Sequence, residues 1–196
     1  MAHKGKKYKN AVKLIERAKD YTLKEAVSLV KNASYTKFDG TLDVAVNLGV
    51  DPKQADQNVR GAVSLPNGTG KKTRVIVFAK GEKALEAKKL GAVEVGGQEL
   101  ADKIIGGWLE FDNVVATPDM MALVGKLGKV LGPRGLMPSP KVGTVTFNVK
   151  EILTQLQAGR VEFRVDKGGV IHSVAGKTGM NEDHLCENVN AIMDAI

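Results

Sequence analysis

Two periods of apolar residues alternate along the chain. Val12, Leu14, Ile15 and Ala18 fall on one stripe of a 3.6-residue repeat, which predicts a helix over residues 8–19. Thr22-Leu23-Lys24-Glu25 has the form of a capping box, in which the Thr22 hydroxyl and the Glu25 carboxylate each accept a backbone amide. It opens a second helix with Leu23, Ala26, Val27 and Val30 inward. From residue 41 to 48 the period drops to two. Leu42, Val44, Val46 and Leu48 share one face, and Thr41, Asp43 and Asn47 the other, as in a strand buried on one side.

After residue 64 the texture changes. Leu65-Pro66-Asn67-Gly68-Thr69-Gly70 is turn chemistry and marks a boundary. Arg74-Val75-Ile76-Val77-Phe78-Ala79 is a near-continuous apolar strand, the kind covered on both faces. Helices are expected around 83–90, at 98–105 and at 149–157, with strands at 92–95, 113–116 and 144–148. Such alternation implies βαβ units and a parallel sheet. At Gly159 the first texture returns. Val161, Phe163 and Val165 alternate with Arg160, Glu162, Arg164 and Asp166; Asp166-Lys167-Gly168-Gly169 is a hairpin turn, and residues 170–175 form the returning strand. Asn181 is placed to cap a last helix, with Glu182 and Asp183 in its first turn and Leu185, Val189, Ile192, Met193 and Ile196 inward. The most economical fold combines α+β and α/β parts. Residues 1–67 and 159–196 form one split α+β domain, interrupted by an α/β domain at 68–158. The two crossings then make a double hinge at Pro66, Gly68, Gly70 and Gly159.

Charge adds a partner class. Of the net +7 carried by 196 residues, +5 lies in residues 1–20, where seven Lys or Arg face only Glu16 and Asp20. A basic arm ahead of a mixed body is a polyanion footprint. No apolar run approaches the ~20 residues of a membrane span. The start, MAHKGKKYKN, has charge but no apolar segment of a secretory leader. The single Cys186 excludes an intramolecular disulfide and fits a reducing compartment.

Enzyme chemistry finds little support. His3, His172 and His184 are scattered, and there is no H-E-x-x-H, no cysteine pair and no G-x-S-x-G. Cys186, beside Leu185 and Val189, reads as a buried structural thiol. Ala79-Lys80-Gly81-Glu82 follows the first α/β strand without G-x-G-x-x-G, and no G-x-x-x-x-G-K-[ST] occurs. No cofactor and no metal are expected, and a nucleotide-dependent α/β enzyme is the disfavoured alternative. The unusual segment is 125–141, with four Gly, three Pro and four basic residues. It reads as an irregular phosphate-contacting loop carrying Lys126, Lys129, Arg134 and Lys141.

Within it, Leu131-Gly132-Pro133-Arg134-Gly135-Leu136-Met137-Pro138 resembles the signature segment of the bacterial ribosomal protein L-one family. Lys37-Phe38-Asp39, Asp56-Gln57-Asn58-Val59-Arg60-Gly61, the 65–70 turn and Phe163-Arg164-Val165-Asp166-Lys167-Gly168-Gly169-Val170-Ile171-His172 agree with it in order. The resemblance implies a split domain with a Rossmann-like insert and a non-catalytic role in the mobile side stalk of the large ribosomal subunit, in the cytoplasm. The partners it implies are 23S rRNA, departing tRNA at the exit site and the chain's own operon mRNA, bound as a repressor. It also implies a monomer off the ribosome and no membrane. Positions matching the family's RNA-contacting surface are Thr36, Lys37, Phe38, Thr41, Asp43, Arg164, Asp166, Lys167 and His172. It further implies a strand and a Ser-Thr-Met-Gly-like loop beyond the last helix, where this sequence ends on Ile196. Physically, the polar faces of the strands bearing Thr41 and Arg164 would lie side by side as a flat RNA-facing surface.

Overall fold

The computed structural model describes residues 5–16 and 18–196. Its centre is a three-stranded parallel sheet in the order β4-β3-β5, formed by β3 (Val75–Phe78), β4 (Glu94–Gly96) and β5 (Asn113–Ala116). All four residues of β3 are buried, and the period of two divides them between two cores. Ile76 and Phe78 meet α4 (Gln98–Ile105), α5 (Met121–Lys126) and α6 (Gly128–Leu131) through Leu100, Ile104, Val124, Leu127 and Leu131. Val75 and Val77 meet α3 (Glu82–Lys89) and α7 (Val149–Ala158) through Ala87, Ile152, Leu153 and Leu156.

The expected fourth strand at 144–148 is not formed. Val145 makes a single parallel bridge with Ala116. The chain then turns outward at exposed Phe147, and α7 begins at Val149.

Residues from either side of that sheet meet in antiparallel pairs. β1 (Thr41–Asn47) pairs with β7 (Val170–Lys177), and β2 (Arg60–Ser64) with β6 (Arg160–Arg164). A bridge between Val165 and Ile171 joins the two ribbons through the 166–169 turn. Leu65, Ala175, Phe163 and Ile171 point inward, under α8 (Glu182–Ala195) with its Leu185, Val189 and Ile192. The α2 helix (Leu23–Ala33) packs against α8 and begins with the capping box expected of Thr22 and Glu25.

β2 is invisible to a search for alternating apolar residues. Its Gly61 lies under the Phe163 ring, whose Cζ would be 2.7 Å from an added Cβ, so the packing comes from the partner strand.

Other expectations need correction. The first helix, α1, covers only Lys6–Val12 and buries nothing; Leu14 and Ile15 are exposed. Of that stripe only Val12 is half-buried and Leu14, Ile15 and Ala18 stay in solvent, and seven residues without a capping side chain do not sustain a longer helix. His3 and Arg17 lie outside the described residues. Val30 and Met193 are exposed, and Cys186 is half-buried rather than buried, because each sits at the margin of its helix's packed face. Asn181 has extended N-cap dihedrals but makes no side-chain cap bond.

Candidate nucleic-acid interface

The strand register sets which side chains share the outer face of the antiparallel strands. Thr41 is opposite Lys177, Asp43 opposite Val174, Ala45 opposite His172, and Asn47 opposite Val170. The Lys177 ammonium donates to Thr41 Oγ1 at 2.7 Å. On the other ribbon Arg60 is opposite Arg164, Ala62 opposite Glu162, and Ser64 opposite Arg160. The strands bearing Thr41 and Arg164 are therefore not neighbours, as the sequence reading had them; β7 runs between them and brings His172 into the middle of the face.

Two loops close this face at opposite ends. At one end, Thr36 donates its hydroxyl to the Phe38 carbonyl at 2.8 Å, and Asp39 accepts from the Thr178 hydroxyl and the Gly179 amide. These bonds fix a turn from which Lys37 projects into solvent and Phe38 stands 73% exposed. At the other end, the Leu48 amide donates to the Gly169 carbonyl, holding the 166–169 hairpin beside the far end of β1. There the Asp166 carboxylate accepts from the amides of Val170 and Gly168, which hold it below the ordinary carboxylate range. His172 Nε2 lies 3.9 Å from it, and Lys167 is exposed. Seven strand residues at ~3.3 Å each separate the loops by about 20 Å, roughly three nucleotides of extended strand.

The face therefore carries Lys and Arg for phosphates, Thr and Asp for ribose hydroxyls or base amines, and an exposed aromatic ring for stacking. Sequence reasoning did not select Arg60, Arg160, Glu162 or Lys177. Alternation pointed to Arg160 and Glu162 as outward; the other two became legible only through the β2–β6 and β1–β7 registers.

Glu162 is half-buried. Its carboxyl is pushed up by burial, against the pull of the Arg60 and Arg160 guanidiniums. It lines a cleft of about 570 Å³ whose walls include Thr41, Lys177 and Arg160 on one side and Asp112, Gly135 and Leu136 on the other. Arg160 reaches across to donate to the Val142 carbonyl and the Gln155 side chain.

The basic segment 125–141 is only in part the irregular loop expected of it, which is confined to residues 132–139. Its first half is helical, since α5 runs to Lys126 and α6 covers Gly128–Leu131. Leu127 and Leu131 anchor it in the core, a role hidden by the surrounding glycines. Lys126, Lys129, Arg134 and Lys141 all remain exposed.

The two chain crossings touch. Gly68 (φ +65°) and Gly159 (φ +107°) face each other so closely that a Cβ on Gly159 would be 2.5 Å from the Gly68 Cα. Buried Asn188 of α8 accepts from the Asn67 amide and donates to the carbonyls of Gly68 and Ala175. Pro66 and Gly70 flank this contact and are exposed.

Among the described residues no group of His, Cys, Asp or Glu is arranged to hold a metal ion, and no helix is long and apolar enough to cross a membrane.

Known proteins resemble the chain along its length. The family described as ribosomal protein L1p/L10e matches residues 29–196. The large ribosomal subunit protein uL1 of Syntrophobacter fumaroxidans is 55% identical over 196 residues, covering 100% of this chain and 84% of that protein.

Proposed function

The chain belongs to the ribosomal protein L1p/L10e family, and from that premise we propose that it binds 23S rRNA in the side stalk through the outer face of its antiparallel strands. As a member it is a non-enzymatic protein of the large ribosomal subunit and works in the cytoplasmic ribosome. The observation that carries the rRNA reading is the juxtaposition on one exposed face of Thr41, Asp43, Arg164 and His172, bounded by Lys37 and Phe38 at one end and Asp166 and Lys167 at the other.

In this reading residues 1–67 and 159–196 are the rRNA-binding domain, and residues 68–158 a second domain that swings about Gly68, Gly70 and Gly159. Lys126, Lys129, Arg134 and Lys141 on the second domain meet departing tRNA. The same rRNA-facing surface serves to repress the operon mRNA through an RNA fold that resembles the rRNA site.

Gel-shift with a stalk rRNA fragment, an operon leader RNA and a nucleotide competitor tests this. The two RNAs are expected to bind and displace each other, and ATP or GTP to have no effect. Nucleotide binding without RNA binding would refute the rRNA reading. For the hinge, distances between labels on residues 53 and 129 are expected to be broad in the free protein; one narrow distance, unchanged by rRNA, would refute the swing.

A further inference from the structure

The helix α1 has an unexplained design. On a 100° wheel Lys6, Lys9 and Lys13 (i, i+3, i+7) fall on one stripe, while Tyr8, Ala11 and Val12 fall on the opposite side. The second set is half-buried and the three lysines are exposed. None of the three is ion-paired with any of the carboxylates, all of which lie among the described residues. Like charges at these spacings repel, and the helix buries no residue and has no side-chain cap to offset that. A stripe of unpaired cations on a short helix gains most from a line of anions.

We propose that Lys6, Lys9 and Lys13 form a second RNA contact outside the sheet face, taking successive phosphates of the bound rRNA. The inference rests on the rRNA reading above. The helical rise spaces Lys6, Lys9 and Lys13, the last being the αR C-cap, about 4.5 and 6 Å apart along the axis, a pitch comparable with neighbouring phosphates on an RNA strand. The contact is sequence-independent and adds affinity and on-rate rather than selectivity. A membrane surface fits less well. Insertion needs a free apolar face, and Tyr8, Ala11 and Val12 already rest half-buried against the chain.

The test compares the full chain, a K6Q/K9Q/K13Q variant and a K88Q/K89Q/K150Q variant of equal charge change on exposed sites. Affinity for a stalk rRNA fragment with flanking helix is measured from 0.05 to 1 M KCl. Each lost phosphate contact lowers the log–log salt slope by roughly 0.7–0.9, so the arm variant should lose about two units. That corresponds to about a hundredfold weaker binding at 0.1 M, vanishing towards 1 M. The control should lose well under one unit.

Equal losses in both variants would mean bulk charge and overturn the stripe, as would an unchanged slope in the arm variant. Loss of binding to phosphatidylglycerol vesicles with RNA affinity intact would make the arm a membrane element and overturn it too. A wild-type chain that does not bind the fragment defeats the rRNA reading and this inference together. Wild-type binding with an unaltered arm variant defeats this inference alone.

Discussion

β3 and β1 show two ways of using a strand. Every side chain of β3 is buried, whereas β1 alternates exposed and half-buried residues along its full length. With both faces covered, β3 has all its side chains committed to packing and none free for recognition. β1 leaves every other side chain in solvent, in a row whose spacing the backbone fixes. The first region should answer to mutation in stability and the second in binding.

The largest expected effect separates these responses. Leu153, fully buried beneath the parallel sheet, should cost about 2–5 kcal/mol when truncated to Ala, with rRNA affinity unchanged well below the melting transition. Lys37→Ala with Lys167→Ala should do the reverse. Stability should stay within about 0.5 kcal/mol, while affinity at 0.1 M salt falls roughly thirtyfold, from two lost phosphate contacts. Thermal melts and binding isotherms on the same samples make the comparison. Lys83→Ala with Lys88→Ala, on α3, should barely change either; if that pair is the more damaging, the primary RNA surface belongs to the parallel-sheet region.

The same contrast explains what could be read from the sequence. The run 74–79 and the alternation at 41–48 are strong periodic signals, and both strands formed close to where expected. Strand β2 gave no signal because Phe163, a hundred residues away in sequence, supplies its packing. The first half of 125–141 reads as a loop because Gly and Pro are seven of the seventeen residues in the segment. Leu127 and Leu131 belong to a core that only the folded chain assembles. Of the face, Thr41, Asp43 and Arg164 were legible from alternation. Lys177 was not, since it lies past a register shift opposite Leu42 and Asp43. Arg60 stayed hidden with its strand.

An ion cluster at the edge of the parallel sheet gives the next effect. Asp112 accepts from the Lys71 ammonium at 2.8 Å, the Arg74 amide at 3.1 Å and the Arg74 Nε at 3.2 Å. Burial works against its ionisation, yet these donors hold its carboxyl at about 2, against an ordinary 3.8. A depressed value means stability that is full above the ordinary pKa and lost as pH falls through about 4 to 2. Asp112→Asn should therefore cost about 1–2 kcal/mol at pH 7, less than the shift alone implies because Lys71 and Arg74 are well exposed. Urea titrations at pH 7, 4 and 2 should show the two proteins converging. A gap that persists at pH 2 would mean that lost packing, not charge, is responsible.

Glu162 should behave in the opposite sense and more weakly, because it belongs to the other region. Burial raises its carboxyl pKa, and the Arg60 and Arg160 guanidiniums offset only part of that. A raised value in the folded state gives a stability contribution that is full below the unfolded pKa and lost as pH rises through the folded one. Relative to Glu162→Gln, the wild type should be favoured in acid and lose that advantage towards neutrality, the reverse of the Asp112 pattern. At pH 7 the Gln variant should be at least as stable as wild type. It should also bind rRNA slightly more tightly, since a carboxylate beside Arg60 and Arg160 opposes phosphate approach on that face. Paired urea midpoints at pH 4 and 7, with binding measured at pH 7, test both halves. A Gln variant clearly less stable at pH 7 would show that the two arginines outweigh burial, and that Glu162 acts as their structural counter-ion. In that case charge pairing would hold part of the antiparallel face together, and the division between a packing sheet and a recognition sheet would fail at this strand.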